Sequence, residues 1–319
     1  MSFSRYATDD SVISSEAVVT GLWSNGTNTL STFFTSSTNT GSGYEYYVDV
    51  YNTGSALSGS SVQFAIQYAH VNGSGSAYLN ALVPGITPSR IVYGEYRNLV
   101  YGDENTNFVF SGSATSEDFF VLNFARSRYK ESLYPGSLAM CLSGSSGKLW
   151  LTDDSTVNTS TNFLGENRYF NLVNTASLSG TSYGYVFPDL NVILINPDLV
   201  SGYVTTPSRT ANTNLSSSLL LFNSIKLGAN FQLQSQETIS SRYFFTRVKN
   251  SEFNYTTNPS VIDSAGNLIY NVLVNSPQTY ITCVGLYNDS NELLAVAKLS
   301  KPLPKDFTKE ALIRVKLDY

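Results

Sequence analysis

Apolar residues along this chain recur at every second position more often than at every third or fourth. Residues 61–70 show it best. Val62, Phe64, Ile66, Tyr68 and His70 fall on one face, and Gln63, Ala65, Gln67 and Ala69 on the other. Side chains of a strand alternate between faces, so this segment is expected to be a half-buried antiparallel strand, ended by the turn Asn72-Gly73-Ser74-Gly75. The β-branched and aromatic run 44–51 (YEYYVDVY) predicts a strand, as do 90–93, 107–110, 119–124, 148–152, 169–173, 183–187 and 191–195, most of them bounded by Gly, Pro, Asn or Asp. Short helices are expected around 96–100 or 128–133.

Beyond residue 218 the pattern predicts strands at 219–222, 243–248, 267–274, 280–287, 293–299 and 311–319. Asn288-Asp289-Ser290-Asn291 joins two of these as a β-hairpin. In the last, Ile313, Val315, Leu317 and Tyr319 alternate with Leu312, Arg314, Lys316 and Asp318, so the end of the chain is expected to be a paired strand. The predicted fold is mainly β: antiparallel sandwich or barrel-like modules with short helices and long Ser/Thr/Asn-rich loops. The expected organisation is an extended arm over 1–43, a β-rich module over 44–200, a linker over 201–218 and a second β-rich module over 219–319.

Composition supports that reading. Of 319 residues, 46 are Ser, 29 Thr and 29 Asn, while only 13% are charged. A helical protein needs more Ala, Glu, Lys and Leu on its solvated faces. The 13% aromatic content excludes disorder throughout. Net charge is −5, and basic residues are nowhere dense enough for phosphate binding, so nucleic acid is not an expected partner. The one local group, Arg126, Arg128 and Lys130, has the spacing of a single strand face, either solvated or turned toward an acidic partner. No apolar run approaches the ~20 residues of a membrane helix, and the start of the chain reads as no secretory signal. Six Asn-X-Ser/Thr sequences, the first at Asn25 and the last at Asn288, are read as products of composition.

The chemistry-bearing residues are sparse. His70 is the single histidine, and its place at the end of an apolar face beside a turn reads as structural. Cys141 and Cys283 read as small buried residues in a reducing compartment. One His and two distant Cys do not make a zinc site. Asp103-Glu104-Asn105-Thr106-Asn107 starts like a calcium loop, but Phe108 replaces the turn glycine and Ala114 the bidentate Glu. The paired acids Asp153-Asp154 and Glu117-Asp118 would be needed for a glycosidase, and their setting at strand ends reads as solvated loop acids. No phosphate-cradling glycine loop is present, so no cofactor is expected. What stands out is tyrosine, 22 residues of it, which offers broad contact area with a hydroxyl that keeps it soluble. In 44–51 the tyrosines cannot all point one way. Tyr46 and Tyr47 are therefore candidate contacts, for a protein partner rather than a sugar since no Trp accompanies them.

Several stretches carry a resemblance: 242–259 (RYFFTRVKNSEFNYTTNP), 285–304 (GLYNDSNELLAVAKLSKPLP), 312–319 (LIRVKLDY), 93–101 (YGEYRNLVY) and 126–137 (RSRYKESLYPGS). They resemble virion structural proteins of large contractile-tailed bacteriophages, most of all tail-tip components. The resemblance implies a baseplate wedge or neighbouring tail subunit, made in the host cytoplasm, whose partners are other virion proteins in a homo- or hetero-oligomer. A neck or capsid role is the nearest variant of it. In that light Lys298, Lys301, Lys305, Lys309, Arg314 and Lys316 would place positive charge where neighbours are oriented during assembly. The competing expectations are a receptor- or carbohydrate-binding fibre part and an envelope glycosidase.

Overall fold

The computed structural model describes residues 5–35, 47–53, 61–73, 89–110, 115–160, 162–207, 214–256, 258–275 and 277–318. Tyr46 and parts of the expected arm and linker lie outside these residues. The chain forms two compact units, Ala17–Glu237 and Met1–Glu16 with Thr238–Tyr319. The division therefore falls inside two strands, β1 (Ser11–Gly21) and, late in the chain, a 15-residue strand over Gln234–Val248, rather than at 201–218. Residues 219–237, assigned above to the second module, belong to the larger unit.

The larger unit is built on one antiparallel sheet. Its elements are β2 (Thr29–Leu30), β3 (Val48–Tyr51), β4 (Val62–His70), α1 (Ser89–Tyr101), β5 (Asp118–Phe124), β6 (Ser132–Leu133), β7 (Ala139–Gly144), β8 (Gly147–Asp153), β9 (Asn162–Leu164), β10 (Asn167–Asn174), β11 (Gly184–Phe187), β12 (Val192–Ile195), α2 (Asn214–Gly228) and β13 (Phe231–Gln232). The strands run in the order β2-β13-β7-β8-β10-β11-β12-β5-β4-β3, with β9 attached to β10. The sheet curls until its ends meet through one segment. Thr29 and Leu30 pair with β13, and four residues later Phe34 exchanges both backbone hydrogen bonds with Tyr51 of β3, at 3.0 and 2.8 Å. Closure of this kind removes the free edges that a wide sheet would otherwise offer.

Inside the curl, Trp23, Phe64, Phe124 and Phe231 bring opposite ends of the strand order into ring contact, with centroids 5.2 Å apart for Trp23–Phe231 and 5.3 Å for Phe64–Phe231. Helix α2 lies against both β7 and β4 and adds Leu221, Phe222 and Ile225 to this interior core. A Cβ on Gly228 at its end would collide with the Cys141 carbonyl, so only glycine permits that approach. Outside the curl, α1 lays Val92, Tyr93, Tyr96 and Val100 over Phe119, Val121, Phe187 and Leu194. Strand β5 is consequently buried on both faces, Phe120, Leu122 and Phe124 inward and Phe119 and Val121 outward.

Two local expectations change for one reason: small or amphipathic residues hide a helical period. Residues 90–93 are helical rather than extended, because Ser89, Val92, Tyr93, Tyr96 and Val100 recur at helical spacing. Residues 219–222 likewise belong to α2, where buried Ser217, Ser218 and Ser224 complete the stripe begun by Leu221 and Ile225. β4 is buried on both faces, not half-buried, since Gln63 and Gln67 find partners under cover: Gln67 Oε1 accepts from the Tyr96 hydroxyl at 2.8 Å. Residues 107–110 form no strand, although Phe108 and Phe110 are buried, and 128–133 is a turn leading into β6 rather than a helix.

The smaller unit contains the 3-10 turn Thr8–Asp10, the first residues of β1, most of β14 (Gln234–Val248), α3 (Asn271–Asn275), β15 (Thr279–Tyr287), β16 (Leu293–Lys305) and β17 (Ala311–Asp318). β14 pairs with β17 over eight residues and with β1. β15 and β16 form the expected hairpin, and 267–274, expected as a strand, is a turn followed by α3. The core here is thin: Leu286, Ile313 and Val315 are buried, with Phe244, Ile281, Val284, Leu299 and Leu303 partly covered around them.

Candidate interaction surface

The predicted contact residues divide into those the fold uses internally and those it presents. Arg126, Arg128 and Lys130 lie beyond the end of β5 in a turn, so they do not share a strand face. The Arg126 guanidinium donates to the carbonyls of Tyr129 and Lys130 at 2.9 and 2.8 Å and lies 4.8 Å over the Tyr129 ring, which makes it a staple of that turn. Lys305 departs furthest from expectation. Its side chain is fully buried, and its ammonium donates to the Asn250 carbonyl, Asn254 Oδ1 and the Asp306 carbonyl, each at 2.9 Å. Three neutral acceptors replace its water, and the lysine pins the loop after β14 to the end of β16. Lys309 pairs with Asp306 at 3.1 Å. Tyr47 is exposed just before β3, and Lys301 is exposed on β16.

Arg314 and Lys316 do share a face. They project from β17 opposite Phe245 and Tyr243 of β14, with the Arg314 guanidinium 5.5 Å and the Lys316 ammonium 6.0 Å from the centre of the Tyr243 ring. Arg247 and Leu312, cross-strand neighbours, extend the same row. The acids beside it are held ionised well below the ordinary carboxylate range: Asp318 by the Ser241 hydroxyl and then Lys316, Glu310 by Arg247 at 2.7 Å. Arg314 is left with the tyrosine face and no carboxylate within ion-pair distance among the described residues. The result is a cation–aromatic strip.

The second exposed feature is the outer side of the β15–β16 hairpin. Tyr280 and Val296 are each 60% exposed and Leu294 68%, with Leu293 and Tyr287 beside them. Tyr287 and Leu293 fold across Gly285, where any Cβ would strike the Tyr287 ring. Hairpin signals in the sequence located this element. That its outer side would stay uncovered was not visible there, because alternation identifies two faces without saying which is buried.

Most of the acids and the histidine singled out in the sequence hold local structure. Asp153 accepts the Gly136 N–H with both carboxylate oxygens, at 2.9 and 3.0 Å, and Asp154 accepts the backbone and side-chain N–H groups of Asn171, both at 2.8 Å. These acids are buried turn clamps rather than solvated loop acids. Asp118 is buried and accepts the Tyr68 hydroxyl at 2.8 Å, while Glu117 is exposed. Asp103 caps its own loop through the N–H groups of Asn105 and Thr106. His70 is buried, its Nδ1 accepting the Asn72 N–H at 3.0 Å. Cys141 is buried and Cys283 exposed, so the expectation of two buried cysteines holds for one. Among the described residues no three His, Cys, Asp or Glu side chains cluster as metal ligands, and no helix is long and apolar enough to cross a membrane. No protein-family model, curated protein or solved structure matches the chain.

Proposed function

We propose that this chain is a structural subunit of a contractile bacteriophage tail, placed in the baseplate, which works through contacts with neighbouring subunits and makes or breaks no bond. The observation that carries the reading is the distribution of uncovered apolar surface. Of the 23 large apolar side chains exposed among the described residues, fifteen belong to the smaller unit. Concentration of exposed large apolar side chains in one unit supports a contact role for it. The stretches 242–259, 285–304 and 312–319 that resemble tail proteins lie in that same unit, and the cation–aromatic strip supplies orientation in a contact otherwise driven by burial.

Negative-stain imaging of particles that carry this chain, decorated with an antibody against it, tests the placement. Label at the tail end is the expected result. Label confined to the head overturns the baseplate assignment, and absence of the chain from purified particles overturns the virion assignment.

A further inference from the structure

The two ends of the chain meet in the smaller unit. Residues from 1–16 and from 238–319 build it together, and in sequence the whole of the larger unit stands between them. Within the unit, the segment 5–16 (RYATDDSVISSE) is therefore held by non-covalent contacts alone.

Strand β14 has β1 on one side and β17 on the other, and the two differ in grip. β17 pairs with it over eight residues and buries Ile313 and Val315. The segment 5–16 buries no residue: Tyr6 is 39% exposed, Val12 50% and Ile13 64%. Its turn Thr8–Asp10 closes on itself, with the Ala7 N–H donating to Asp10 Oδ2 at 2.8 Å. Beyond the backbone ladder, few contacts seat the segment. The Tyr6 hydroxyl bonds to Thr246 Oγ1, the Tyr6 ring lies 5.7 Å from that of Phe244, and the Arg242 guanidinium donates to Ser11 Oγ at 3.3 Å. An edge strand with so little burial opens at a free energy well below that of global unfolding. Opening leaves the edge of β14 bare and uncovers Phe244, which belongs to the thin core.

We propose that segment 5–16 is exchanged between copies: it leaves β14 of its own chain, and the same segment of a second copy takes its place, with Tyr6 on Phe244 and Ser11 beside Arg242. The occupant is the one that the structure seats on this edge. Supplied by another chain it makes the same contacts, so concentration decides between the two arrangements. Charge favours it as well. Segment 5–16 holds Arg5 against Asp9, Asp10 and Glu16, net −2, whereas 238–319 holds nine Lys/Arg against seven Asp/Glu, net +2. Opposite charge brings a segment from another chain to this edge faster than a neutral one.

The inference supplies a partner and an interface, and it is independent of the phage assignment. Exchange in solution stands even if particles lack the chain, and a segment that never leaves its own chain leaves the tail assignment standing. The test is fluorescence anisotropy of a labelled synthetic peptide of residues 5–16, titrated with the full chain. Saturable binding is expected. Tyr6→Ala in the peptide weakens it about tenfold, the worth of an aromatic contact with its hydroxyl bond. Tyr6→Ala in the chain tightens binding of the unaltered peptide by about the same factor, because it opens the site that the chain's own segment occupies. A residue that merely stabilises the fold does not give opposite signs. Full chains incubated at hundreds of micromolar form dimers in sedimentation velocity, and excess peptide disperses them. Hydrogen exchange across 12–16 in the unaltered chain, expected to be at least tenfold faster than across 312–317, serves if Tyr6→Ala disturbs the fold. A peptide that binds neither chain, equal exchange in the two strands, or the absence of peptide-sensitive dimers overturns the proposal.

Discussion

The two units solve the same problem, a sheet with two faces, in opposite ways. The larger covers its sheet twice, with α2 inside the curl and α1 outside, so that β5 exposes only Asn123. The smaller has three buried apolar residues at its core and leaves Val12, Ile13, Leu294, Val296 and Leu312 at least half exposed. Burying a large apolar side chain contributes about 1.5–3 kcal/mol, so each one left in water is stability forgone. The larger unit therefore buries most of its apolar side chains within itself, and the smaller leaves a greater share of them in water.

Core truncation is the strongest way to break the comparison. Phe64→Ala, which empties a site ringed by Trp23, Phe124 and Phe231, is expected to lower the urea stability of the larger unit by about 3–5 kcal/mol and to leave the smaller unit's transition in place. A single shared shift would show that the units do not unfold separately. Next comes Lys305→Met. It keeps the length of the side chain but removes the ammonium that three part-buried acceptors share, at a cost of about 1–3 kcal/mol to the smaller unit alone, while exposed Lys301→Ala changes stability by about 0.5 kcal/mol or less. Equal effects of the two substitutions would remove Lys305 from its structural role. Asp153→Ala is expected to cost the larger unit about 1–3 kcal/mol by leaving the Gly136 N–H unmatched, read from the same melts.

Protonation offers a gentler contrast, since the raised tyrosines lie in the larger unit and most of the lowered carboxylates in the smaller. In the larger unit, burial pushes the hydroxyls of Tyr93, Tyr96, Tyr169 and Tyr185 up and that of Tyr101 up to about 12. A raised group favours the fold below its unfolded value and loses that contribution as pH climbs through the folded one, so the larger unit weakens between pH about 10 and 12. In the smaller unit, the Thr308 hydroxyl and then Lys309 hold Asp306 down to about 2, and Asp318 and Glu310 are lowered too. Lowered groups contribute above their unfolded values and lose that contribution as pH falls, so the smaller unit weakens between pH about 4 and 2. The Tm gap between the native chain and Asp306→Asn should close over that acid range. A gap undiminished at pH 2 would mean that the ionised carboxylate is not what acts.

Much of this was legible in the residues. The hairpin around Asn288–Asn291, the final strand and the runs at 119–124, 148–152, 169–173, 183–187 and 191–195 all appear close to where alternation and turn residues put them. The misreadings share a cause. Ser217, Ser218 and Ser224 look polar in sequence yet occupy buried helical positions, because a small hydroxyl bonds to nearby backbone and fits a close approach: Ser224 Oγ donates to the Tyr203 carbonyl at 2.9 Å. Lysine fares no better. Lys305 and Lys301 are equivalent in any count of charge, and one is wholly buried while the other is exposed.

Sequence by itself determined the class of fold, since strand period, turn chemistry and scarcity of helix formers are local properties that neighbouring residues settle among themselves. Tertiary structure alone decided where the chain divides, which faces are covered and which charges are spent inside. Those outcomes depend on segments far apart in the chain meeting in space, as Thr29–Leu30 meets Phe231–Gln232 and Phe34 meets Tyr51, and burial belongs to such meetings rather than to any residue.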